Sequence, residues 1–142
     1  MWSDVILSAE RQHLLRLLAW SGLSIVSSTA LFTLLVARRA ESALLKHFAM
    51  QTLIWSIVIA ALASAGWFGL HLRDLAGATT LERRAWLNVG LDAGYIGIGA
   101  TLAACGQLLG RRMAVVGAGT AIVIQGLALF LLDLQFAALV SR

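Results

Sequence analysis

From Trp86 to Leu109 the chain reads WLNVGLDAGYIGIGATLAACGQLL, an apolar run broken by an aspartate. About 20 such residues cross the hydrocarbon core of a bilayer. No water is available there, so the backbone must bond to itself, and a helix does this within one segment. On a helix Asn88, Asp92 and Tyr95 stand at i, i+4 and i+7 and share a face. An acid at that depth is costly, and it faces the bundle interior where one occurs. Gly90, Gly94, Gly97, Thr101 and Ala104 make a stripe of small residues on the other side. Such a stripe lets a second helix approach closely.

Three more runs match this one in length and character. With the first they give expected spans over residues 14–37, 47–70, 86–109 and 113–140. The chain has no proline to break a helix, and its 13 glycines lie mostly within apolar runs. Hydrophobic residues make up 60% and charged residues 13%, far from the balance of a soluble domain. No alternating strands with turn signals point to a β-barrel. The expected fold is all-α, an integral membrane antiparallel four-helix bundle forming one domain over residues 1–142. Residues 3–12 read as a short interfacial helix or a leading extension of the first span, with Ser3 as a helix cap. With an early acid and no basic leader, they are not expected to be a signal peptide.

Four spans put both termini on one side, together with the connection 71–85. That side carries Arg11, Arg16, Arg73, Arg83, Arg84 and Arg142; the other carries Arg38, Arg39, Lys46, Arg111 and Arg112. The second group is packed into two short loops, which points to that side as cytoplasmic and to the termini as periplasmic in a bacterial inner membrane. Trp2, Trp20, Trp67 and Trp86 are expected as an aromatic belt on the terminal side. Within 71–85, Thr80 offers a start for the third helix ahead of its apolar part. Gly110 is placed to end that helix. The net charge of +4 belongs to flanking residues, not to a basic face with interleaved aromatics, so no nucleic-acid partner is expected.

Polar residues inside the spans are the candidates for function. His47, Gln51 and Trp55 share a face of the second span, and the fourth contains Gln125 and Asp133. Asn88, Asp92, Tyr95, Gln51, Gln125 and Trp55 are expected to converge at mid-depth. They form either a satisfied polar network that fixes helix register or a site for a small ligand or a proton, with Asp92 as the titrating group. Asp133 lies towards the end of its span, either in reach of water or as a second inward carboxylate; no acid is firmly paired with Asp92. Ser21, Ser24 and Ser28 suit packing in the first span. His13 and His71 fall on the terminal side, where interfacial positions suit them better than haem ligation, and His47 is on the other side. No His or Cys spacing suggests a metal. No nucleophile elbow or Cys–His pair suggests catalysis. No cofactor is expected. Cys105 is the single cysteine, so no internal disulfide is expected.

Three stretches together, HFAMQTLIW, LNVGLDAGYI and GTAIVIQGLALFLLD, resemble a family of small bacterial four-helix membrane proteins of unknown function. Asn88, Gly90, Asp92, Gly94, Tyr95, Gln125, Gly126 and Asp133 carry the resemblance. Ser56 and Ile59 stand where that family has further asparagines, which implies a less polar pocket here. The resemblance implies four spans in one domain and brings no activity. From the residues, the expected role is non-enzymatic: an accessory or structural subunit that docks, through stripes such as Gly90, Gly94, Gly97 and Thr101, onto other membrane subunits or copies of itself. The alternative is a small transporter or ligand-binding membrane protein with a polar site around Asp92.

Overall fold

A computed structural model describes residues 2–141, with the side chain of Trp2 excepted; Arg142 and the Trp2 indole, both assigned above to the terminal side, lie outside the described part. There are four helices: α1 Trp2–Ala37, α2 Ala43–Phe68, α3 Leu75–Leu108 and α4 Met113–Val140. All four are long and apolar enough to cross a membrane. The fourth has the expected bounds. The other three differ at their starts, each for a local reason.

α1 is one continuous helix of 36 residues, about 54 Å at 1.5 Å per residue. Nothing between Ser3 and Leu14 breaks it, so the leading segment is an extension of the span. Ser3 is consequently inside the helix, not capping it. α2 starts early because Ser42 caps it, its hydroxyl accepting from the Leu45 amide at 3.3 Å. α3 starts at Leu75 because Asp74 is the cap, its carboxylate accepting from the Gly77 amide at 2.8 Å. Thr80 is therefore already helical, and its hydroxyl donates to the Ala76 carbonyl. α3 ends in the glycine turn the sequence announced: Gly110 has φ 87° and the Arg112 amide closes back on the Gly106 carbonyl at 2.7 Å.

α4 is the hub. It packs against α1, α2 and α3, while α1 pairs with α2 and no extended packing joins α3 to α1 or to α2. In a square up-and-down bundle α2 and α4 would be diagonal neighbours. Here the bundle has collapsed along that diagonal. The reason is Gly117, where a Cβ would collide with the Leu44 backbone carbonyl. Gly99 and Gly119 do the same for α3 and α4: a Cβ on Gly119 would sit 2.6 Å from the Gly99 carbonyl. α2 presents Ala49, Thr52, Ser56, Ile59 and Ala63 to the interior at helical spacing. Ser21, Ser24 and Ser28 of α1 are also buried. Ser21 and Ser28 donate to carbonyls of their own helix, to Leu18 and Ser24, which satisfies them without a partner helix. At the terminal end Ala85, Val89, Phe136 and Ala137 form an apolar cluster, with Ala9 and Leu81 packed on it. Drawing α2 onto α4 leaves the α2–α3 edge open, and that opening makes the cleft described next.

Candidate functional site

α4 floors this cleft, while α1 and α2 wall one side and α3 the other. Its volume is about 550 Å³. Asp133 rises from the floor. Its Oδ1 lies 3.2 Å from His13 Nε2, an ion-pair distance. The His13 ring is stacked on Phe136, with centroids 4.3 Å apart and planes 10° apart. Asp92 of α3 lines the same cleft. Two carboxylates in one cleft shut off from water do not both ionise readily, and such a pair titrates as a unit.

All three residues are over nine-tenths buried: His13 is 8% exposed, Asp92 5% and Asp133 7%. Yet His13 Nδ1, Asp92 Oδ2 and Asp133 Oδ1 have no hydrogen-bond partner among the described residues. The His13–Asp133 approach is therefore an electrostatic contact without hydrogen-bond alignment. A buried polar atom left unpartnered costs about 1–3 kcal/mol. Three such atoms line this one cleft.

Glu10, one turn before His13, also lines the cleft but is already occupied. Its two oxygens take a bidentate pair from Arg73, at 2.6 and 3.1 Å. Arg84 stands at the exposed rim. At the inner end Trp55 and Tyr95 meet edge to face, 5.1 Å between centroids, and close the gap between α2 and α3 there. Asn88 lines the wall and is exposed.

Of the six residues expected to converge, Asn88, Asp92, Tyr95 and Trp55 do so. Gln125 is buried elsewhere: its Oε1 accepts from Trp20 Nε1 at 2.8 Å, bridging α1 and α4. This also removes Trp20 from the expected belt, because α1 starts at Trp2 and Trp20 falls midway along it. Gln51 does not line the cleft. The absence of a partner acid for Asp92 is corrected by Asp133, the inward alternative for that residue. His13 is corrected from an interfacial position to a buried one, because α1 runs unbroken through it and turns that face inward. His71 is exposed and His47 half-buried, each bonded to a nearby carbonyl. Gly90, Gly94 and Gly97 meet nothing within 4 Å, and Thr101 is exposed. α3 meets α4 instead through Gly99 and Gly106, so the expected packing stripe lies bare in the single chain. No group of three or more potential metal ligands occurs among the described residues.

A family model described as a family of unknown function, DUF6992, matches residues 16–134, most of the chain. The chain belongs to that family. The match takes in Asn88, Asp92, Tyr95 and Asp133, while Glu10 and His13 lie just ahead of it. No curated protein and no solved structure matches the chain.

Proposed function

We propose that this member of DUF6992 is a four-span integral membrane protein that binds a small ligand in the cleft, in exchange with a proton held by Asp92 and Asp133. The observation that carries this reading is the set of three unpartnered polar atoms, on Asp92, Asp133 and His13, lining one cleft. A buried ionisable group inside an apolar helix is expensive and is kept where it works. A second carboxylate beside the first makes the pair a natural proton holder. Both termini are assigned to one side by the four spans.

Dicyclohexylcarbodiimide tests this reading. It reacts with protonated carboxyls in apolar surroundings. The expected result is modification of Asp92 or Asp133, at most one per chain because the pair shares a proton, suppressed at alkaline pH. The charged and titratable groups facing the pair are Glu10 and His13 from α1 and Arg84 and Tyr95 from α3, with none from α2. Labelling confined to Glu82, Asp4 and other carboxyls outside the cleft overturns the reading.

A specific observation supports a second role alongside the first. The bare stripe of Gly90, Gly94, Gly97 and Thr101 suits close approach by another helix, as an accessory subunit or a homo-oligomer would use.

A further inference from the structure

The cleft has a chemical polarity of its own. Its floor carries acceptors: Asp92 Oδ2 and Asp133 Oδ1 are both buried and both without a hydrogen-bond partner among the described residues. Of the basic side chains near this floor, Arg73 is spent on Glu10, Arg84 stands out at the rim, and one imidazole, His13, stands against the two carboxylates. The floor therefore favours a donor with positive charge and repels an anion. At the inner end the same cleft is lined by the rings of Trp55 and Tyr95, and aromatic rings attract a cation.

The mouth is different. Val58 and Leu62 of α2 and Leu91 of α3 line the same cleft, and they are 42%, 68% and 49% exposed. They sit well inside their helices, on the edge where α2 and α3 do not pack. The cleft thus opens sideways through an apolar mouth, at the level of the apolar runs. A small hydrophilic cation gains nothing from that mouth. A molecule with a positive group and an apolar body matches both ends.

We infer that the cleft takes an amphipathic organic cation, its charged group against Asp92 and Asp133 and its apolar body in the mouth between Val58, Leu62 and Leu91. The inference rests on the reading of the cleft as a binding site, and it names the class of ligand. Entry is lateral, from the lipid layer, and the arriving cation displaces the proton held by the carboxyl pair.

Tetraphenylphosphonium and tetraphenylborate share a shape and differ in the sign of their charge, so the two together make the test. With the full chain purified in mild detergent, equilibrium binding of tetraphenylphosphonium is expected to be saturable at neutral pH, and tetraphenylborate is expected not to bind. The isosteric variants Asp92→Asn and Asp133→Asn should each weaken the cation by about tenfold or more. Leu91→Trp, at an exposed position that leaves the floor intact, should weaken it by narrowing the mouth. Absence of saturable cation binding, equal binding of the borate, or unchanged affinity in both aspartate variants overturns the inference. In each of those cases carbodiimide labelling of the same protein tells the two claims apart: labelling that persists at Asp92 or Asp133 leaves the site standing with a different ligand class, and its absence removes the site as well.

Discussion

His13 holds a buried position on two contacts, the ion pair to Asp133 and the stack on Phe136. Removing the ring leaves a carboxyl deep in the chain with less to balance it. His13→Ala is expected to cost about 2 kcal/mol or more, seen as a drop of several degrees in Tm in detergent. His13→Phe should keep the stack and still lose stability, which separates the charge contact from the packing. Trp20 and Gln125 offer a cleaner case, since they are joined by one hydrogen bond between uncharged groups. Trp20→Phe leaves Gln125 Oε1 buried and unsatisfied, at a cost of about 1–2 kcal/mol. Adding Gln125→Leu should recover part of it, because an apolar pair leaves no orphan. Recovery of nothing would mean the bond does not hold α1 to α4.

Helix by helix, glycine decides who is adjacent to whom. A Cβ at Gly117 meets a backbone carbonyl, which cannot swing aside as a side chain can. Gly117→Ala is thus expected to push α2 off α4, with a loss of about 1–3 kcal/mol. Gly90→Ala meets open space and replaces a poor helix former by the best, so it should be neutral or stabilising by up to about 1 kcal/mol. Equal losses at both positions would contradict the assigned packing. Element count and the bounds of α4 were legible in the sequence because apolar length alone sets them. Adjacency was not. The stripe Gly90, Gly94, Gly97 and the pair Gly99, Gly106 are equally plausible packing faces when α3 is read alone, and only the position of α4 chooses between them. The starts of α1 and α3 were blurred for a related reason: polar residues such as Glu10 and Glu82 end an apolar run without ending a helix. Taking the span from Leu14 put His13 and Glu10 outside the interior, and the site lost its α1 wall. The signal was present in the spacing Glu10, His13, Leu14, Leu17, which continues one helical face.

Across the molecule, collapse along the α2–α4 diagonal and opening of the α2–α3 edge are one event. The polar cleft is what a four-helix chain leaves when three helices close on each other and the fourth packs on only one of them. Asn88, Asp92, Tyr95 and Trp55 were legible as a group because two helix faces carry them. Asp133 and His13 were not, because their partners lie on helices distant in sequence. The same geometry leaves the Gly90–Thr101 stripe on the outside of α3. If that stripe docks onto another copy, Gly94→Leu should lower the mass of the particle in mild detergent and leave the cleft able to bind; an unchanged mass removes the docking role.

The central claim is that Asp92 and Asp133 hold one proton between them within the cleft. Infrared difference spectra of the protein in lipid, recorded between alkaline and acidic buffer, read it directly through the carbonyl stretch of a protonated carboxyl in apolar surroundings. The account predicts one such band, abolished or displaced by Asp92→Asn and by Asp133→Asn alike, because each variant removes half of one pair. A band that survives both substitutions, or two independent bands removed one at a time, would contradict it.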